Sequence, residues 1–154
     1  MQFRSPRDGD WSTILTIANR SVFDVPGAGE QDQWLSNRRS FSKRGFQHHF
    51  VLADDHNVFG YGAVEHATDA PPDSYRIFVV TYPEHLQDYG AGIYEYAERK
   101  LIELGAANAR FVEYAEDHRL NSFILARGYA EIGRFQLDSG QEAVVLSKDY
   151  SSRR

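Results

Sequence analysis

The sequence contains no cysteine, so it has neither a disulfide framework nor a thiol nucleophile. It also lacks an apolar run close to the roughly 20 residues that a membrane-spanning helix needs, and it shows no signal-peptide core. The net charge of −5 argues against general nucleic-acid binding. The six histidines show no metal-ligand spacing. We therefore expect a cytoplasmic protein that uses neither nucleic acid, membrane nor metal.

What the sequence does contain is enough apolar material for one packed domain. Hydrophobic residues make up 42% and aromatic residues 14% of the 154 positions, a composition typical of folded chains. No repeat, low-complexity tract or linker divides the chain. We predict a single domain over residues 1–154.

The predicted elements follow the order strand, two helices, three strands, helix, strand, helix and two strands. Helical periodicity begins after Asp10 and again near Gln31, where it continues to Lys43. Hairpins are predicted over 50–66 and 129–146, and a buried strand over 75–82. This order predicts an α/β (α+β) fold, with a mixed, mostly antiparallel central sheet of about seven strands and helices on both faces. A doubly wound dinucleotide fold would alternate strands and helices throughout.

The most informative segment is the turn 87–92, which reads Gln-Asp-Tyr-Gly-Ala-Gly between the strand 75–82 and a predicted helix over 93–104. The first N–H groups of a helix have no partner within it and favour an anion. Glycine has no Cβ, so a ligand can approach the main chain closely. The segment predicts a pyrophosphate site, although turns of this composition are common.

Gln87, Gly90 and Gly92 match the Arg/Gln-x-x-Gly-x-Gly/Ala motif of the GCN5-related N-acetyltransferase superfamily, which the chain resembles. A predicted helix that ends in Gly128 and Tyr129 matches a second family feature. The resemblance spans about residues 47–148. It implies one acetyltransferase domain that binds acetyl-coenzyme A and acetylates a primary amine of a small molecule or peptide. Relatives are often dimers, so a homodimer is also expected.

The resemblance also implies a set of cofactor-binding residues. The turn would bind the pyrophosphate, the preceding strand would face the thioester, and the helix before Gly128 would complete the site. This set is Val79, Val80, Thr81, Gln87, Asp88, Tyr89, Gly90, Ala91, Gly92, Asp117, Asn121 and Phe123. A backbone N–H near Val80 or Thr81 would stabilise the oxyanion, so Thr81 is one of two predicted catalytic residues.

The second predicted catalytic residue is Glu65, as general base acting directly or through a water. A base is needed because an amine of pKa about 10.4 is almost wholly protonated at neutral pH. His66 competes for this role, whereas Tyr75 would form part of the acceptor pocket. An acidic group at a strand end would attract a cationic acceptor, and a basic group would meet the 3′-phosphate of the cofactor. These two groups are Glu113, Glu116 and Asp117, and Arg38, Arg39, Lys43 and Arg44.

Position 124 departs from the family pattern. Many members have a tyrosine there that protonates the leaving thiolate, whereas Ile124 cannot donate a proton. The thiol of coenzyme A, with a pKa of about 8.5, either leaves as the thiolate without an acid, or Ser122, Tyr89 or Tyr129 supplies the proton. The alternative function is therefore a non-catalytic acyl-CoA-binding module of the same fold. A nucleotide-binding α/β protein that uses the same glycines is a third hypothesis.

Overall fold

A computed structural model describes residues 1–21, 48–67 and 70–150. Its strands are β1 (Gln2–Arg4), β2 (His48–Ala53), β3 (Val58–His66), β4 (Ser74–Thr81), β5 (Asn108–Tyr114), β6 (Ala130–Gln136) and β7 (Glu142–Asp149). Its α-helices are α1 (Trp11–Ser21), α2 (Ala91–Glu103) and α3 (His118–Leu125). The second predicted helix, over 31–43, and the basic group at 38–44 lie outside the described residues.

The seven strands form one sheet in the order β1-β2-β3-β4-β5-β7-β6. Every neighbouring pair is antiparallel except β4 and β5, which are parallel. Helices α1 and α2 pack on opposite faces of this sheet. The predicted fold class, a mixed and mostly antiparallel sheet with helices on both faces, is confirmed.

Each face of the sheet carries its own apolar core because strand side chains alternate between faces. On one face, Trp11 and Ile14 of α1 pack with Tyr61 and other side chains from β2, β3 and β4. On the other face, Ile93 and Leu101 of α2 join a larger cluster that includes side chains of β5 and α3. The central strands are therefore covered on both sides.

Two glycines in β3 allow α2 to approach the sheet closely. A Cβ at Gly60 would lie 2.5 Å from Ile93 Cδ1, and one at Gly62 would lie 2.7 Å from Ile93 Cγ2. Either distance is too short for a carbon–carbon contact, so a larger residue would push the helix away. These glycines therefore fix the start of α2 and the turn that precedes it.

A polar cluster ties α2 to β7. Oε2 of Glu98 accepts hydrogen bonds from Tyr94 at 2.8 Å, Tyr150 at 2.6 Å and Lys148 at 3.0 Å. Desolvation opposes the charge on Glu98, but these hydrogen bonds outweigh it and lower the pKa of the carboxyl. The ionised carboxylate thus holds the second half of α2 against the sheet.

Candidate active site

The sheet opens between its two parallel strands. The β4–β5 ladder contains three pairs and ends at Arg76 opposite Arg110. Beyond that point β4 still pairs with β3 as far as Thr81, and β5 still pairs with β7 as far as Tyr114. The two strands therefore separate while each keeps its outer neighbour. We call the gap between β4 residues 77–81 and β5 residues 111–114 the cleft.

Two cavities lie in this cleft. The larger, which we call the main cavity, has a volume of about 230 Å³ and is lined by residues of β4, β5, α1 and the start of α3. A mouth cavity of about 20 Å³ shares four lining residues with it and extends to Thr81, Pro83, Leu86 and Arg119. The four shared residues are Ser21, Val79, Asp117 and Leu120. The cleft therefore runs from the middle of the sheet to the turn before α2.

The main chain of β4 presents hydrogen-bonding groups to the cleft. Ala67 donates its N–H to the carbonyl of Ser74 at 2.9 Å, so these residues form a hydrogen-bonded antiparallel pair. The β3–β4 register then runs without a shift to the end of β4. Alternation points the N–H and C=O of Val80 towards β3, and those of Val79 and Thr81 towards the cleft. Of the two predicted oxyanion donors, the register favours Thr81 over Val80.

Glu113 on β5 is the carboxyl that lines the main cavity from the strand side. Desolvation raises the pKa of Glu113 to about 8, with Arg76 opposing the shift and Asp117 adding to it. Desolvation also raises the pKa of Asp117, although the N–H of Leu120 donates to its carboxylate at 3.3 Å. The cleft therefore contains a carboxyl whose pKa is raised towards neutral pH.

The turn before α2 is helical from its first residue. A 3-10 turn over Pro83–His85 leads into a π-helical turn over Leu86–Gly90, which continues into α2. Gly90 has φ −62° and ψ −40°, an ordinary right-handed helical conformation, and it is buried. The predicted start of the helix at 93 was therefore late.

The two motif glycines have different surroundings. A Cβ at Gly90 would lie 3.0 Å from Leu86 Cδ1 and 3.7 Å from Val79 Cγ1, whereas one at Gly92 would meet only Phe3, at 4.0 Å. Gly90 thus permits close packing of the turn on β4. Gly92 leaves open space at the start of α2.

The charges at this turn are mainly negative. Residues 82–92 include Glu84 and Asp88 but no lysine or arginine. Asp88 Oδ1 accepts the N–H of Tyr89 at 2.6 Å, and this hydrogen bond, with a smaller contribution from His85, lowers the pKa of Asp88. A cation does face the mouth cavity from α3, where Arg119 is exposed.

The predicted cofactor-binding residues fall into three groups. Val79, Thr81 and Asp117 line the mouth cavity, and Val80 lines the main cavity. The turn residues Gln87, Asp88, Tyr89, Gly90, Ala91 and Gly92 lie together before and at the start of α2. The remaining two residues, Asn121 and Phe123, line neither of these two cavities, although Asn121 lines a separate cavity of about 270 Å³ between α3 and the β6–β7 hairpin.

Asn121 and Phe123 have other surroundings. The Asn121 amide donates to the carbonyl of Tyr114 at 2.9 Å and so ties α3 to the end of β5. Phe123 is 1% exposed in the core, with the guanidinium carbon of Arg127 3.5 Å from its ring centroid. Their contacts are those of residues that hold α3 in place.

The two predicted catalytic residues lie at opposite ends of the β3–β4 ladder. Glu65 pairs with Arg76, and Thr81 lies five residues further along β4, a separation of about 17 Å along the strand. Glu65 is buried beside His49, with 3.4 Å between Oε2 and Nε2, and it lines neither cavity. Both cannot contact the same reacting bond.

Two residues that line the main cavity were not among the predicted catalytic residues. Glu113 was noted only as part of an acidic group, and the phenol of Tyr114, which also lines the main cavity, was not singled out. The sequence feature that could have indicated them is a carboxyl and a phenol at the end of a predicted apolar strand. By contrast, Ile124 is fully buried, and Ser122, Tyr89 and Tyr129 line neither the main nor the mouth cavity.

The described residues contain no group of three or more histidine, cysteine or acidic side chains that would hold a metal ion. None of the described helices combines the length and apolar character needed to cross a bilayer.

No family model matches the chain, and no curated protein matches it in sequence. Solved structures do match its fold. A protein from Desulfovibrio desulfuricans assigned to the GNAT family of acetyltransferases has a TM-score of 0.76 at 12% identity, over 97% of this chain and 99% of that one. The chain therefore has the fold of GCN5-related N-acetyltransferases.

Two other similar structures have known ligands or acceptors. The PaiA N-acetyltransferase of Thermoplasma acidophilum, solved with coenzyme A, has a TM-score of 0.70 at 14% identity, over 97% of this chain and 98% of that one. A spermidine N-acetyltransferase of Vibrio cholerae has a TM-score of 0.72 at 15% identity, over 99% of this chain and 96% of that one. At these identities the similarity establishes the fold alone.

Proposed function

We propose that this chain is an acetyl-CoA-dependent N-acetyltransferase of the GCN5-related superfamily, acting on a primary amine. The observation that carries the proposal is the cleft between β4 and β5, which joins the turn 83–90 to the carboxyl of Glu113. The fold supports it because the chain resembles acetyltransferases over nearly its whole length.

The residues of the cleft fit the arm of coenzyme A better than those of the turn fit its diphosphate. Val79 and Thr81 direct N–H and C=O groups into a narrow opening, where an extended amide-bearing chain would pair with them as a strand does. At the turn, the start of α2 would hold the diphosphate, with Arg119 as the nearby cation. Asp88 and Glu84 oppose that binding.

Acetyl-coenzyme A, when bound, supplies a thioester whose acyl carbon forms a bond with the amine nitrogen as its bond to sulfur breaks. In this proposal Glu113 accepts the proton that the ammonium group must lose. A base of pKa about 8 suits an amine of pKa about 10.4, since it is partly ionised near neutral pH and holds a proton firmly enough to take it.

Two other roles are proposed from position. The N–H of Thr81 or Val79 would donate to the acyl oxygen. Tyr114 is the lining phenol that would protonate the leaving sulfur, and it would regain its proton from the attacking nitrogen, which loses its second proton as the amide forms. The assignment of Glu65 as the base stays a prediction. Its carboxylate lies beside His49, outside the main and mouth cavities. The cytoplasmic location, the homodimer and the single domain over 1–154 also stay predictions.

The test is thiol release from acetyl-coenzyme A in the presence of a panel of primary amines, with amine-free reactions as the blank. We expect amine-dependent release in the wild-type protein and loss of release in the Glu113→Gln variant. Tight binding of coenzyme A without release for any amine would favour the non-catalytic module. Stabilisation by ATP or a nicotinamide nucleotide but not by coenzyme A would favour the nucleotide-binding hypothesis.

A further inference from the structure

The main cavity contains a cationic side chain whose donors are not all used. Arg76 lines the cavity half-buried, and its guanidinium carbon lies 5.0 Å from the ring centroid of Phe78. Its Nε is fully buried and has no hydrogen-bond partner, and Arg76 forms no salt bridge with any of the described residues. A buried N–H left without an acceptor is costly, so a missing acceptor is the simplest explanation.

The carboxyl of Glu113, which lines the same cavity, does not replace that acceptor. Glu113 lies close enough for the positive charge of Arg76 to lower its pKa, yet no ion pair joins the two side chains. Asp117 is also occupied, because its carboxylate caps α3 at the N–H of Leu120. The cavity thus presents one cation and one proton-accepting carboxyl as separate groups.

The cavity has room for a small acceptor that meets both groups. Apart from Ser21, Arg76, Glu113, Tyr114 and Asp117, its lining residues are apolar. Its volume of about 230 Å³ is below the range of about 300–1,000 Å³ that is usual for ligand pockets, so it suits a compact molecule better than an extended one. A guanidinium presents parallel N–H groups, and this geometry fits the two oxygens of a carboxylate.

We infer that the acceptor is a compact primary amine that carries a carboxylate, of the α-amino acid class, with its carboxylate on Arg76 and its amine at Glu113. This inference rests on the proposed function and specifies its acceptor. It predicts selection against polyamines, which would bring a second cation next to Arg76. It also gives Arg76 a role in specificity, since the residue binds the acceptor away from the reacting nitrogen.

The test compares α-amino acids with their carboxamides, which keep the amine but lose the negative charge. Thiol release from acetyl-coenzyme A gives kcat/KM for each, with spermidine as the polyamine. We expect wild-type protein to prefer each acid over its amide and over spermidine. The R76Q variant should lose about tenfold or more of the acid-to-amide preference, mostly through KM, while R76K keeps part of it.

The matched control is R110Q. Arg110 is the register partner of Arg76 on β5, but its Nε donates to Asn108 Oδ1 at 3.0 Å and it lines neither the main nor the mouth cavity. R110Q removes the same charge and should leave the preference unchanged. Equal loss in both variants, preference for the amide or spermidine, or an unchanged ratio in R76Q would overturn the inference.

A second readout separates this inference from the proposed function. Calorimetric titration of the amino acid into coenzyme A-loaded protein needs no turnover, and R76Q should weaken this binding while R110Q does not. Binding that depends on Arg76 without thiol release would contradict the acetyltransferase and keep the acceptor class. Thiol release with polyamines alone would keep the acetyltransferase and contradict the acceptor class. Thermal melting of all variants checks that each is folded.

Discussion

The turn before α2 and the cleft between β4 and β5 form one continuous path, yet their charges are organised differently. At the turn, Glu84 and Asp88 are exposed, and the backbone would supply the binding groups. In the cleft, Arg76, Glu113 and Asp117 surround a cavity and two of them are carboxyls with raised pKa values. The turn thus has exposed acidic groups, whereas the cleft contains carboxyls that desolvation makes harder to ionise.

The difference indicates where each part of the proposed reaction depends on side chains. Water and salt screen the charges of an exposed turn, so a single substitution there changes binding modestly. Inside a cavity the same charges act through a less polar medium, and a single substitution changes the chemistry. Substitutions in the cleft should therefore have much larger effects than substitutions at the turn.

The largest effect is expected from E113Q. Loss of a general base lowers the rate by about 10²- to 10⁴-fold, with little change in coenzyme A affinity because the carboxyl acts on the acceptor. Thiol release and calorimetry measure the two quantities. The control is E116Q, which removes an exposed carboxyl three residues further along the chain. Equal rates in E113Q and E116Q would show that the cleft carboxyl takes no part.

The second effect is on the pH profile. The base must be ionised to act, so kcat/KM should fall about tenfold for each pH unit below the Glu113 pKa of about 8. E113Q should lose this inflection. Because the folded pKa lies above the ordinary value of about 4.3, ionisation also costs stability as pH rises from about 4.3 to about 8. Chemical denaturation across that window should show falling stability in the wild type and a flatter curve in E113Q.

A smaller effect is expected where the cleft meets the turn. Arg119 lines the mouth cavity from an exposed position, so R119Q should weaken coenzyme A binding by about fivefold at low salt and less at high salt. Calorimetry at two salt concentrations measures this. R99Q is the control, since Arg99 is exposed on α2 and lies over Tyr96. A uniform loss in both variants would indicate only a long-range charge effect.

The smallest effect, with opposite sign, is expected at the turn itself. Asp88 holds the N–H of Tyr89, one of the donors that a diphosphate would use. D88N should strengthen coenzyme A binding by about twofold to fivefold. E84Q removes a neighbouring charge that already pairs with Arg20 at 3.6 Å. It should therefore strengthen coenzyme A binding less than D88N does. A weaker affinity in D88N would mean that its carboxylate organises the turn for the ligand.

Local patterns predicted the fold because they were consistent along the chain. The predicted hairpin over 50–66 is β2 and β3, and the predicted buried strand over 75–82 is β4. The predicted helix before Gly128 is α3, which Asp117 caps. The helical geometry of the turn was missed, since Pro83 and Leu86 begin a helix before the glycines are reached. The glycine pattern marks only the end of this helical segment, at Gly90 and the start of α2.

The cleft could not be predicted because it depends on where two distant strands stop pairing. Nothing near Arg76 or Arg110 in the sequence marks the end of the β4–β5 ladder. Likewise, the raised pKa of Glu113 comes from desolvation between elements far apart in the chain. Glu65 looked equivalent in sequence, at the end of an apolar strand, yet it lies beside His49 instead of in the cleft.

The most direct test of the account is a crystal structure of the protein with coenzyme A. We expect the pantetheine arm between β4 and β5, bonded to the main chain of Val79 and Thr81, with its sulfur directed into the cavity of Glu113. The diphosphate should lie at the start of α2. An arm bound on another surface, or a cleft that stays closed by β4–β5 contacts, would contradict the account.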